Sequence, residues 1–215
     1  MRRDSYKLQG LRMHLIDTLR EEGIKDEKVL AAMAKVPRHL FLEKAFEEWA
    51  YKNVAFPIGC DQTISQPLTV AIQTGLLEIK KGDKILEVGT GSGYQACILS
   101  ELGAKVYTIE RQSTLYERTE KLLIQLGYRL IRTFLGDGYS GLSMFAPFDK
   151  ILVTAGASSL PESLIKQLAV GGHLVIPIGD DAGQTMWRYT LLPDGKIDSK
   201  AFGKFKFVPF LKGIQ

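Results

Sequence analysis

Leu86-Glu87-Val88-Gly89-Thr90-Gly91-Ser92-Gly93-Tyr94 is a short apolar run that ends in three alternating glycines and then takes up a helical pattern. Such a stretch predicts a buried strand, a tight turn and a helix. Glycine at the turn reaches backbone conformations closed to other residues and lets a ligand approach the main chain. A turn that only redirects the chain would use the same residues, so the flanking sequence has to decide. Downstream, apolar runs of strand length alternate with helical stretches: Lys84 to Val88, a helix to Leu102, Lys105 to Ile109, a helix to Leu126, Leu130 to Leu135, Lys150 to Thr154, a helix to Leu168, and His173 to Ile178. This alternation predicts an α/β fold with a doubly wound, mostly parallel sheet covered on both faces. Trp187 to Leu192 and Ala201 to Phe210, on either side of Pro193-Asp194-Gly195, predict an antiparallel edge.

Upstream of the glycine turn the periodicity is helical. Leu8, Leu11, Leu15 and Leu19 recur before Gly23, and Val29, Met33 and Val36 repeat the pattern until Pro37. From Val54 to Pro67 the periodicity fails, which reads as a loop ahead of a helix beginning near Pro67. The formal charge of +4 comes from lysines and arginines spread along the 215 residues, without the run of like charges that marks a nucleic-acid tail. Cys60 and Cys97 lie far apart, and Cys97 sits among apolar residues as a reduced thiol would. His14, His39 and His173 share no metal-ligand spacing with each other or with either cysteine, so no metal is expected. The segment from Met1 to Lys7 leads into an amphipathic pattern with no long apolar run. That pattern predicts neither a signal peptide nor a membrane span and makes the cytoplasm the expected location.

Two further features fall in register with the glycine turn. Glu110 closes the next strand, 21 residues after Gly89, where a carboxylate accepts hydrogen bonds from both hydroxyls of a ribose. Gly136-Asp137-Gly138 closes the third strand, and its carboxylate is placed to meet the exocyclic amine of adenine. Taken singly, Glu110 could be a solvated acid at a helix start and Gly-Asp-Gly an ordinary turn. Together, at the carboxyl ends of successive strands, the three point to a nucleoside ligand. The turn lacks the G-x-G-x-x-G spacing of a dinucleotide site, and no G-x-x-x-x-G-K-[ST] is present for a triphosphate.

The run from Glu87 to Tyr94, with Glu110 and Gly136-Asp137-Gly138, resembles class I S-adenosylmethionine-dependent methyltransferases. Four more segments narrow the match: Thr63-Ile64-Ser65-Gln66-Pro67; Ala146-Pro147-Phe148-Asp149; Gln167 to Gly172 with Val175 to Gly179; and Phe207-Val208-Pro209-Phe210. Together these resemble the protein-L-isoaspartate O-methyltransferase family, from about Arg38 to Phe210 and into the N-terminal helices. The resemblance implies seven strands with the order of the last two exchanged relative to most class I methyltransferases. It implies one structural domain, with residues 1–80 as N-terminal helices and a substrate and cofactor loop packed on a methyltransferase core of residues 81–215. The implied cofactor is S-adenosyl-L-methionine, with S-adenosyl-L-homocysteine as product. Glu87, Gly89, Gly91, Gly93, Glu110, Arg111, Asp137 and Gly138 would bind it, and Thr63, Ile64 and Ser65 would form the substrate loop. Glu87 would reach the methionine ammonium or serve as a structural carboxylate, and Arg111 would lie along the adenosine or be solvated. The implied substrates are L-isoaspartyl, and D-aspartyl, residues of damaged proteins, acted on by a monomer without nucleic-acid or membrane partners. The sequence departs from the family pattern at Gln73, Tyr139 and Gly156-Ala157-Ser158, positions that touch packing and substrate fit.

A carboxylate with a pKa near ~4 is ionised at neutral pH, so methyl transfer to it needs no general base. Positioning and exclusion of water remain, and these lower a barrier by about 7–11 kcal/mol in favourable intramolecular cases. Ser65 is the candidate catalytic residue, placed by the resemblance beside the substrate carboxylate; the alternative is a serine capping the helix that starts at Pro67. Two other functions stay open at this point, a nucleic-acid methyltransferase and a nucleoside-binding regulator. Against the first, Thr154-Ala155-Gly156-Ala157 stands where an Asn/Asp-Pro-Pro-aromatic run would lie, and neither cysteine follows a proline. Lys204 and Lys206 among Phe202, Phe205 and Phe207 read as a half-buried strand with its lysines outward rather than a base-stacking strip.

Overall fold

The computed structural model describes residues 4–180 and 182–215; Asp181 and Met1 to Arg3, the start of the segment read for a leader, lie outside the described residues. Two helices open the chain, α1 (Tyr6–Glu21) and α2 (Glu27–Lys35), followed by three single 3-10 turns. The α1 helix begins where the Ser5 hydroxyl accepts from the Leu8 amide, and α2 where the Asp26 carboxylate accepts from Lys28 and Val29. Strands β1 (Phe56–Gly59) and β2 (Gln62–Ile64) form a small antiparallel hairpin, and α3 (Pro67–Leu76) follows with proline in its first turn. The hairpin lies inside the stretch expected to be loop. Its tip, Cys60 and Asp61, takes left-handed φ angles of 53° and 54°, and such short strands carry too few residues to display a period.

Next come β3 (Lys84–Val88), α4 (Tyr94–Glu101), β4 (Lys105–Glu110), α5 (Ser113–Gln125), β5 (Arg132–Leu135), β6 (Phe148–Val153), α6 (Glu162–Ile165), β7 (Leu168–Asp180), β8 (Gly183–Leu191) and β9 (Ile197–Phe205). The main sheet has seven strands in the order β5-β4-β3-β6-β7-β8-β9. The first five of that order run parallel, and β8 and β9 return antiparallel. The sheet therefore has the architecture expected, with the last two strands in chain order at the edge.

Strand β3 is buried on both faces, which is why its apolar run is continuous. Ile85 joins the core that includes Leu19, Leu30, Met33 and Ile98 under the helices, while Leu86 and Val88 join a second cluster with Ile151, Leu164 and Ile176. This second face is covered differently from expectation. The helix expected up to Leu168 is one turn, Glu162–Ile165, because Leu168 already pairs with Phe148 in the sheet. Between β5 and β6 stands a single 3-10 turn, Ser143–Phe145, and Tyr107, Phe134, Phe145 and Phe148 fill that space with ring contacts of 5.0–6.3 Å between centroids.

The last strand also departs from the predicted bounds. It starts at Ile197 and ends at Phe205, and the following residues leave the edge to cross over the sheet. There Gly156 donates to the Val208 carbonyl and Phe210 donates back to the Gly156 carbonyl, each at 2.8 Å. This crossing brings the C-terminal segment to the carboxyl ends of the parallel strands.

Both cysteines are free, Cys60 exposed and Cys97 buried, and burial pushes the Cys97 thiol well above its usual range. Among the described residues no helix is long and apolar enough to cross a membrane, and no group of three His, Cys, Asp or Glu side chains is placed to hold a metal.

Candidate active site

The glycine turn sits between β3 and α4 at the carboxyl edge of the sheet. Gly89, Gly91 and Gly93 have φ angles of 97°, 52° and 85°, in the left-handed region that a side chain disfavours. Space is as restrictive as conformation. A Cβ at Gly89 would collide with the Thr154 hydroxyl, and one at Gly93 would lie 2.8 Å from Thr119 Cγ2. The two threonines also fasten the turn: Thr154 donates to the Val88 and Gly89 carbonyls at 3.0 and 2.8 Å, and Thr119 donates to Gly91 at 2.6 Å.

Glu110 ends β4 beside this turn and is 5% exposed. One carboxylate oxygen accepts from the Gly91 amide at 2.8 Å, and the other accepts from Arg111 and Gln112 at 2.8 and 2.9 Å. The acid is thus braced by the glycine turn and by the start of α5, and the oxygen that accepts from Gly91 keeps a lone pair for a ligand.

These groups frame a cleft of about 830 Å³, counting the solvent space at its open mouth. Thr63, Ile64, Ser65, Gly89, Gly91, Glu110, Arg111 and Gly138 all line it. Glu87, Gly93 and Asp137 do not. Gly93 is turned into the packing against Thr119. The Asp137 carboxylate lies to one side, accepting from Tyr139 and from Gly213, both at 2.9 Å. Arg111 likewise reaches the C-terminal tail, donating to the carbonyls of Gly213 and Lys212 and to the Gln215 side chain.

Glu87 points under the turn, with no exposed surface. One of its oxygens accepts from the Thr108 hydroxyl at 2.5 Å; the other has no hydrogen-bond partner among the described residues. Burial pushes its carboxyl up to about 8, against the opposing effect of the Thr108 hydrogen bond. The Thr108 hydroxyl lies 2.7 Å from that of Thr90, which lines the cleft, so two hydroxyls connect the buried acid to the site.

The far wall is the C-terminal segment, where Val208, Pro209, Phe210 and Leu211 line the cleft. Sequence reasoning took Val208, Pro209 and Phe210 for the end of an edge strand. Tyr139 stacks on Phe210 with centroids 4.0 Å apart and anchors that wall. The aromatic-proline-aromatic signal was present, but nothing local marks where the strand lets go.

The Thr63–Ser65 loop is held from below. Arg38, 1% exposed, donates to the Ala50 carbonyl at 2.9 Å and to the Ser65 carbonyl at 2.8 Å, and its guanidinium lies 4.9 Å from the Tyr94 ring centre. Burial lowers this guanidinium to about 10, so it stays cationic at neutral pH. Ser65 does not cap α3: Gln66 holds the cap position without a side-chain bond, and the Asn53 side chain accepts from Leu68 at 3.0 Å. Arg38 and Asn53 escaped the sequence reading because their partners are 27 and 15 residues away.

A solved structure described as a beta-aspartate methyltransferase (PCMT) from Plasmodium falciparum, in complex with S-adenosyl-L-homocysteine, matches with a TM-score of 0.82 at 26% identity. The match covers 94% of this chain and 99% of that one. A protein-L-isoaspartate O-methyltransferase structure matches with a TM-score of 0.83 at 27% identity over 92% of this chain, which spans 65% of that longer chain. With the sheet order and the glycine cleft, these likenesses define an S-adenosylmethionine-dependent methyltransferase of the α/β class. The family model of Protein-L-isoaspartate(D-aspartate) O-methyltransferase (PCMT) matches residues 11–215. Curated proteins called protein-L-isoaspartate O-methyltransferase from Christiangramia forsetii and Flavobacterium psychrophilum are 55% and 51% identical over 210 residues, 98% of this chain and 98% of each of theirs. The chain belongs to the protein-L-isoaspartate O-methyltransferase family.

Proposed function

We propose that this enzyme methylates the side-chain carboxylate of L-isoaspartyl residues in damaged proteins, holding S-adenosylmethionine in the glycine cleft and the substrate at the Ser65 loop. The observation that carries the reading is convergence: turn, acid and loop, from three separated parts of the chain, line one cavity. The bound cofactor supplies an electrophilic methyl group on a sulfonium. The residues fit such a molecule. Gly89 and Gly91 leave main chain open to close approach, Glu110 offers its remaining acceptor site to a ribose hydroxyl, and Val88, Ile109 and Phe210 give apolar surface for a flat base.

In this proposal Gly138 lies against the adenine, while Asp137 accepts from its amine with the lone pairs not given to Tyr139 and Gly213. Arg111 holds the tail that closes the adenosine side, and Gly93 lets α5 press against the turn. Glu87 acts on the cationic end of the cofactor through the Thr108 and Thr90 hydroxyls. Thr63, Ile64 and Ser65 hold the substrate carboxylate in line and keep water out. Esterification turns one oxygen of that carboxylate into a methoxy leaving group. The neighbouring backbone nitrogen then attacks the ester carbonyl, methanol departs, and the succinimide formed hydrolyses partly to aspartate. D-aspartyl residues are the second substrate in this proposal. The enzyme acts as a monomer in this proposal. Polypeptide rather than nucleic acid is the partner, and the cytoplasm is the location that goes with this repair.

Ser65→Ala tests the loop. Displacements of about 1 Å at a reacting centre cost on the order of 10²-fold, so methyl transfer to an isoaspartyl peptide should fall ~10–100-fold while calorimetric affinity for S-adenosylhomocysteine stays within about twofold. Equal losses in both measurements would remove Ser65 from the substrate side.

A further inference from the structure

The Ser65 loop faces two cavities. Thr63, Ser65, Thr154 and Val208 line the cofactor cleft and also a wider trough that runs outward along the end of β9 to the β7–β8 hairpin. A polypeptide whose reactive carboxylate is held at Ser65 has to lay the residues beside it along this trough. The trough is therefore where sequence around the damaged residue would be sensed, an inference that rests on the function proposed above.

Its charge is uneven. Lys204 and Lys206 line the trough and are exposed, and neither belongs to an ion pair among the described residues. The acid on the same lining, Asp180, sits at the hairpin and accepts from the Ala182 amide at 2.9 Å. Among the described residues of the lining, two ammonium groups face one carboxylate, which accepts from a backbone amide. Phe205 and Phe207 also line the trough, but they pack as partly buried residues against the core under the helices and do not form a free stacking strip. The surface is thus suited to an extended chain carrying carboxylates rather than to unstacked bases.

We propose that Lys204 and Lys206 form a specificity site that favours isoaspartyl segments with acidic neighbours. The lysines act on substrate capture through the long-range field and through exposed ion pairs, so the effect lies in kcat/KM and falls with salt. Each exposed pair is worth a few-fold at low ionic strength.

The test is a set of isoaspartyl hexapeptides that differ only beside the isoaspartyl residue, carrying Glu, Gln or Lys on its N-terminal or its C-terminal side. The expected order of kcat/KM is Glu above Gln above Lys on at least one side. The Glu-to-Lys ratio should be on the order of tenfold at low salt and shrink toward unity in 0.5 M salt. The Lys204→Gln/Lys206→Gln variant should flatten this order and the Lys204→Glu/Lys206→Glu variant should invert it, with S-adenosylhomocysteine affinity measured on both to verify folding. Equal rates for the three peptides, or a preference that survives in both variants, overturns the proposal while leaving isoaspartyl methylation intact. Failure of every isoaspartyl peptide to accept methyl overturns both. An oligo(dT) strand that binds the native protein and not the charge-reversed one, with no charge preference among peptides, would assign the lysines to nucleic acid and also overturn it.

Discussion

Gly89→Ala is expected to weaken binding of S-adenosylhomocysteine by at least ~10²-fold. The native φ of 97° lies where an alanine is strained, by roughly 1–2 kcal/mol, and that alone would be tolerable. The collision with the Thr154 hydroxyl is the larger effect, because that hydroxyl is itself bonded to the Val88 and Gly89 carbonyls. Relief requires the turn to leave the end of β6, which moves the Gly91 amide away from Glu110 and dismantles both sides of the cleft. Gly127→Ala separates strain from collision: its φ is 89° but a Cβ there meets nothing within 4 Å. That control should lose stability alone and bind normally. Unchanged affinity in Gly89→Ala, by titration calorimetry, would show that the turn does not cradle the ligand.

Arg38→Met should lower stability by about 2–4 kcal/mol, the consequence of leaving the buried Ala50 carbonyl and the partly buried Ser65 carbonyl without a donor. For a chain of this length that corresponds to roughly 5–10 °C in Tm, read by calorimetry. Methionine fills most of the volume, so the loss reports the hydrogen bonds to Ala50 and Ser65 more than a cavity. Arg38→Lys should recover little, since one ammonium cannot serve two carbonyls in the fork geometry of a guanidinium. At a temperature where the variant remains folded, methyl transfer should fall further than cofactor affinity, because the loosened element is the Ser65 loop. A variant as stable as the parent would show that Arg38 does not hold that loop.

The fold was legible where burial imposes a period. Strand β3, the start of α3 at Pro67 and the parallel strands through β7 all follow from runs that a two-sided sheet and its helices demand, whereas the strand order was implied only by the family resemblance. Legibility ended where structure rests on partners distant in sequence. The stretch before Leu168 has helical composition, yet only Glu162–Ile165 is helical because the sheet takes Leu168. The Lys204-Phe205-Lys206-Phe207 alternation continues past the end of β9, so no pattern marks the point where the chain leaves for Gly156.

The site divides in the same way. Gly89, Gly91 and Glu110 could be placed because strand ends and their turns carry a local signature. Asp137 shared that signature, but its carboxylate meets the amide of Gly213, 76 residues on. Glu87 was legible as an acid at a strand end and not as a carboxyl buried under the floor, since alternation along a strand buried on both sides does not reveal which face holds the ligand. Arg38, a buried support of the substrate loop, comes just after the proline that stops the helical pattern, where no local signal marks its role.

The most direct test uses radiolabelled S-adenosylmethionine with two peptides identical except for one aspartyl or isoaspartyl linkage, and an RNA in parallel. Label that enters the isoaspartyl peptide alone, as an ester released by mild base, is the predicted result. Equal labelling of the aspartyl peptide, label on the RNA, or no transfer despite bound cofactor would contradict it.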